Sequence, residues 1–584
     1  MTGSALGGPA SGRHRAKRET GERPRRIAVL LFLFLATAFA TATFASTASA
    51  DQIESGPRVR ARMERALALL AAEDADRAIP ILLSVVDEVP HHGPARFQLG
   101  ALAVERGEWE VAADHLETAV ASHGREAAEG AVPVQRPGLA WALYSDALGQ
   151  SGRLEEALAA TASSLRFAPD YVPVLLGRSD FARRLARESA SGETELLIET
   201  ALEAARRAQT LAPGRPGPWT ALALAAHEAG VPDLARCAAA RAAELAPDDP
   251  RTRFLVAWTA ADADPVGALA AAEAALAAGL RDEPSLWMTL GRLRAFRLDM
   301  EGSLDAYREA LRLDPATAGE MASVALDAIV AGGDPDLLTL LERGAARRPD
   351  ALNTRFALAK AALREGQVER AADELIRLAD AAPDHAAILT SLHAALRRAG
   401  DAPAAEAVLV RLAAAQDAEA DAWERANRVE RDRGRARDAA VRGDWHEAAQ
   451  HWNAVLGARD DADSLRRAAD LAGLGVTLEG LGRHREALAA LHRSLALRPF
   501  DRETLSVAAH VARALGDHET AGRHAARARL TDPDCRPDRT PPAGAAPVLS
   551  VAPVVSMSLD ECPRGVTQPD GAFPDSRRDR YETA

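Results

Sequence analysis

Helix-ending prolines recur through this chain on one period. Pro213, Pro247, Pro315, Pro349 and Pro383 are separated by 34, 68, 34 and 34 residues, and Pro499 and Pro533 by 34 again. Pro90 is followed 34 residues later by Gly124, another helix breaker. Prolines placed at random do not hold one register over so much chain, so the sequence is a stack of like units. Each unit reads as two amphipathic helices joined by a short turn, with apolar residues on the i, i+3, i+4 stripe. One such hairpin cannot bury its stripe alone, and neighbours must stack to do it.

Residue types within the period agree. Alanine and leucine dominate and aromatics are only 4%, a mix that loses little side-chain freedom in a helix. Small residues stand where paired helices must cross closely: Gly100, Ala223, Gly291, Ala359 and Gly475 in first helices, Ala112, Ala157, Ala235, Ala371 and Ala487 in second helices. Gly107, Gly152, Gly230, Gly366 and Gly400 are placed in the turns, where a positive φ costs little only for glycine. The closing proline stops the second helix. The register slips by about ten residues between Gly124 and Pro169 and between Pro169 and Pro213; Glu126–Gln135 and Ser189–Glu195 are read as the loops that absorb them.

Trp141, Trp219 and Trp287 each stand 28 residues before a closing proline. Trp287-Met288-Thr289-Leu290-Gly291, continuing through Ala306-Tyr307 to Asp314-Pro315, matches the W-x-x-L-G core of the tetratricopeptide pattern. On these residues the chain resembles an exported bacterial tetratricopeptide repeat protein, over roughly Val59 to Cys535. The resemblance implies an all-α, right-handed superhelical solenoid of about thirteen stacked hairpins with a disordered C-terminal tail. The expected organisation is a signal peptide (1–50), an N-terminal part of the array (51–417), a charged helical break or connector (418–442), a C-terminal part of the array (443–535) and a Pro-rich tail (536–584). The 424–433 run is so densely charged that a solvated helix face is its simplest reading.

Seven basic residues from Arg13 to Arg26, the apolar run Ile27–Phe44 and the Ala48-Ser49-Ala50 site form the three parts of a Sec-type signal peptide. Cleavage is expected after Ala50, with export to the periplasm or beyond; the 18-residue apolar run is also long enough to be kept as an anchor. Residues 1–50 hold seven of the 71 Lys+Arg and two of the 84 Asp+Glu, which leaves 64 against 82 and a net charge of −18. Nucleic acid, which needs a basic stripe, is not an expected partner. Of three cysteines, Cys237 is read as a buried free thiol, while Cys535 and Cys562 in the tail can pair in an oxidising compartment.

Catalytic patterns find no purchase. After residue 50 the only lysine is Lys360, which follows Ala359, so there is no Walker phosphate loop. Neither a G-x-S-x-G elbow nor a G-x-G-x-x-G turn occurs. His446 and His451 are five apart, which turns the second ring roughly 140° from the first and spoils a zinc-protease helix. His91, His92, His518 and His524 are scattered on polar faces. No enzyme, cofactor or metal is expected.

Binding remains. The resemblance implies that first helices line a concave face that contacts extended peptides. Projected onto this chain, that inner stripe holds Trp258, Thr289, Arg292, Asn353, Phe356, Lys360, Arg364, Arg397 and Arg398. The fixed Lys, Asn and Arg set with which well-known relatives grip a terminal carboxylate is missing. Lys360 and Arg364 share a helix face, and with Arg397 and Arg398 they are expected to form a positive pocket; alternatively Glu365, Glu369 and nearby acids neutralise them. The expected function is a non-enzymatic scaffold for a protein or peptide in the bacterial cell envelope, or alternatively an accessory subunit of a polysaccharide export or secretion assembly.

Overall fold

Two residues before six of the closing prolines a second helix ends: at Leu211, Leu245, Leu313, Arg347, Ala381 and Leu497. The intervening residue leaves the helical region, as at Ala212 (φ −138°, ψ 59°) and Ala382 (φ −135°, ψ 75°), because the proline ring crowds an α conformation in the residue before it. The computed structural model describes residues 57–122, 136–189, 192–321, 323–331, 335–458 and 464–533. The signal segment, the 126–135 loop and the 536–584 tail lie outside the described residues.

Twenty-five α-helices follow one another, all but those of unit 8 packing as adjacent pairs, and one of them serves two units, so the described array has thirteen units. Units 1 to 3 are Pro57–Ala71 with Ala75–Glu88, Gly93–Arg106 with Trp109–Ala121, and Pro137–Ser151 with Leu154–Phe167. Unit 4 is Val172–Glu188 with Thr194–Leu211, unit 5 Pro216–Glu228 with Pro232–Leu245, and unit 6 Pro250–Ala260 with Pro265–Ala277. Unit 7 is Pro284–Phe296 with Met300–Leu313; in unit 8 Pro335–Arg347 packs on a 3-10 turn at Pro315–Glu320, and Ser323–Ala331 packs on the first helix of unit 9. Unit 9 is Leu352–Arg364 with Val368–Ala381. Unit 10 begins with Ala386–Ala399 and ends in the 41-residue helix Ala402–Arg442, whose far end starts unit 11 and packs on Trp445–Gly457. Unit 12 is Ser464–Gly480 with His484–Leu497, and unit 13 Arg502–Ala514 with His518–Leu530.

Close crossings explain the small residues. A Cβ on Gly291 would lie 2.6 Å from the Tyr307 ring, so the two helices of unit 7 meet only because nothing projects there. Ala371 and Ala487 are fully buried for the same reason. Ala371→Leu is expected to cost about 1–3 kcal/mol by overpacking, with faster hydrogen exchange in units 8 to 10 and none in units 1 to 3. The turn glycines take positive φ, 72° at Gly107 and 81° at Gly400, but Leu298 fills that position at φ 62° in unit 7.

The structure departs from expectation in two places. Unit 4 absorbs most of its extra residues by lengthening both helices, to 17 and 18 residues; Leu185, Ala186, Leu197 and Ile198 continue the buried stripe into those added turns. Cys237 is not a buried free thiol: it is half-buried and disulfide-bonded, and its partner lies outside the described residues. No described helix is long and apolar enough to cross a membrane.

Candidate functional site

First helices of successive units pack against one another along the array, among them those of units 4 and 5, 5 and 6, 6 and 7, and 9 and 10. Second helices mostly do not, which is what the inner and outer sides of a curved stack require. The inner face is therefore built by the first helices, and their last two turns carry its chemistry.

Across units 4 to 7 these turns form one continuous stripe. Glu228 of unit 5 accepts from Arg183 of unit 4 at 3.0 Å and also from Arg187. Arg183 is 6% exposed and Glu228 12%, whereas Arg187 is 58% exposed and faces water. Two buried atoms of this trio, Arg183 Nε and Glu228 Oε2, have no hydrogen-bond partner. Beside it, His227 lies against Trp258 of unit 6, ring centroids 3.9 Å apart. Burial against its neighbours pushes the His227 pKa down, so the ring is neutral at pH 7 and meets the indole as an aromatic, not as a cation. One unit further on, Arg292 reaches Asp262 at 3.7 Å, both largely exposed. Asp262 repeats Glu228, and Arg292 repeats Trp258, at the 34-residue period.

A second group lies on units 8 to 10. Lys360 is paired with Asp327 of unit 8 and stands 4.5 Å from the Phe356 ring centroid. Arg398 donates to the Leu363 carbonyl at 3.2 Å. Asn353, Arg364 and Arg397 are exposed.

Of the stripe expected from sequence, Trp258 and Arg292 each meet a residue of the preceding unit. Two residues need correction. Thr289 is 5% exposed, its hydroxyl donating to the Ser285 carbonyl one turn back, and Phe356 is 8% exposed in the apolar cluster of units 9 and 10. The helix turns both inward, and Phe356 reaches the groove only as the surface beneath Lys360. The four-cation pocket is also reduced, because Asp327, and not Glu365 or Glu369, neutralises Lys360. Arg183, His227, Glu228 and Asp262 escaped the sequence reading. The one available signal was the 34-residue step that links Glu228 to Asp262; the lengthened helices of unit 4 hide the equivalent step for Arg183.

A cavity of about 630 Å³ lies elsewhere, between Pro349 and the charged second helix of unit 9. Its Arg355 and Glu374 pair at 2.6 Å, and Arg377 joins them. No group of three or more potential metal ligands occurs among the described residues.

Fold and stripe together define an all-α array of stacked helical hairpins with a charged and aromatic inner face. The solved structures similar to it include a tetratricopeptide repeat protein from Parabacteroides merdae, with 13% identity and TM-score 0.34, covering 44% of this chain and 94% of that one. YrrB, a TPR protein with an unusual peptide-binding site, shows 18% identity and TM-score 0.25, covering 30% of this chain and 87% of its own. The Cut9–Hcn1 assembly of the APC/C shows 14% identity and TM-score 0.31 over 86% of this chain and 96% of the other. No family model matches the chain, and no curated protein matches it.

Proposed function

We propose that this chain is a non-enzymatic scaffold that holds an extended polypeptide segment along the inner face of units 4 to 7. The observation that carries the reading is the stripe itself: a half-buried indole backed by a neutral imidazole, flanked by arginines whose charge is only partly used. Arg187 and Arg292 offer exposed guanidiniums to a carboxylate, and the Trp258–His227 platform offers an apolar face for a ring or aliphatic side chain. Such aromatic and arginine anchors dominate peptide and protein interfaces.

The test is a display library of unstructured peptides panned on residues 51–584. Trp258→Ala with Arg187→Ala is expected to weaken selected peptides by at least about tenfold, with helix content unchanged. Lys360→Glu with Arg364→Glu should leave the same peptides bound, since Lys360 is already paired. Equal capture by all three proteins would remove the assignment.

We further propose that the scaffold acts outside the cytoplasm, in the cell envelope. The basic segment, apolar run and A-x-A site at residues 13–50 support this. Amino-terminal sequencing of the exported protein should find Asp51 first; retention of the apolar run would make it an anchored form instead.

A further inference from the structure

Unit 13 touches unit 4, more than 300 residues earlier in the chain. Arg527, on the second helix of unit 13, donates from Nε to Glu199 at 3.1 Å and also binds Glu195, both on the second helix of unit 4. Arg206, three turns along that unit 4 helix, donates to the Leu530 carbonyl at 3.0 Å and to the Asp532 carbonyl, capping the end of the array. Phe500, at the entry to unit 13, is 4% exposed. It belongs to the same buried cluster as Leu197, Ile198, Ala201 and Leu202 of that helix, and the Arg527 guanidinium stands 5.5 Å from its ring centroid. An apolar anchor ringed by charge-assisted hydrogen bonds has the anatomy of a specific interface.

The rest of the chain makes this contact decisive. In the long helix Ala402–Arg442, every residue from Gln416 to Ala426 is exposed, so no neighbouring unit braces the link between units 10 and 11. Units 11 to 13 are held in place by that bare helix at one end and by the unit 4 contact at the other.

We propose that unit 13 is a clasp that shuts units 4 to 13 into a closed circuit. When the clasp opens, units 11 to 13 swing on the bare helix, and the outer surface of Thr194–Leu211 becomes free. The proposal is independent of what the inner face binds.

The experiment uses the full chain from residue 51. Arg527→Glu should raise the radius of gyration in solution scattering. It should also speed hydrogen exchange in residues 194–211 and 518–530 by at least about tenfold, with helix content unchanged. Adding Glu195→Arg and Glu199→Arg to that variant should restore both readouts, which a general folding defect would not allow. Unchanged scattering and exchange in Arg527→Glu would overturn the clasp. So would an opening that the charge swap fails to reverse, or a contact that passes between two copies in a concentration-dependent dimer.

Discussion

Trp219→Ala is expected to destabilise the array by about 3–5 kcal/mol, and to do so locally. Trp219 is fully buried at the first-helix position that opens unit 5, and its indole Nε1 donates to the Pro213 carbonyl at 2.8 Å. That bond ties the first helix of unit 5 to the proline closing unit 4. Truncation removes the largest fully buried side chain of the array and leaves that carbonyl without its donor, so the cavity and hydrogen-bond costs fall on one junction. In a solenoid each unit feels mainly the units it touches, which here include unit 13 on unit 4, and hydrogen exchange should rise in units 4 to 6 and in unit 13 while units 9 and 10 keep their protection. Trp287 is the control. It occupies the same place in unit 7 and donates likewise to the Arg281 carbonyl at 2.9 Å, but it is only half-buried, so Trp287→Ala should cost clearly less. Equal losses at the two positions would contradict this account.

The second large effect is expected at Asp470. Arg433, in the far end of the long helix, meets the Asp470 carboxylate of unit 12 with Nε and Nη2 both at 2.8 Å. The guanidinium side chain is 13% exposed and the carboxylate 4%. The hydrogen bonds to Asp470 are the main reason that the Arg433 pKa is raised, so the cation has no neutral form to retreat to. Asp470→Ala therefore leaves a largely buried cation with only the exposed Glu430, at 2.9 Å, as a carboxylate partner, at a cost of about 3–5 kcal/mol. Arg433→Met with Asp470→Leu removes both charges and should cost much less, because a buried pair gains little over apolar residues of similar volume. Denaturation followed by hydrogen exchange in units 11 and 12 separates the two variants, since an array of this length need not unfold in one step. A double variant as weak as the single one would show that packing, not the loss of the buried carboxylate, sets the cost.

Both residues mark where reading by pattern ends. The period, the hairpin pairing, the small residues at the crossings and the turn glycines are local properties, and they were legible because each unit folds on its own stripe and contacts mainly the next. The 34-residue step even places Trp258 and Arg292 on one face. Burial is another matter. Trp219 and Trp287 occupy one motif position, and Thr289 and Phe356 share the stripe of Arg292 and Lys360, yet neighbouring units decide which of them meets water. The 424–433 run reads as a solvated face, but Arg433 within it turns inward because Asp470 waits 37 residues away. Charges are matched across units whose spacing varies, so Asp327 and not a local glutamate takes Lys360, and Glu228 finds Arg183 across the lengthened helices of unit 4. Least legible of all is the meeting of Arg527 with Glu195 and Glu199. Small rotations between units add up along a curved stack, and only their sum returns unit 13 to unit 4; no single repeat encodes that total.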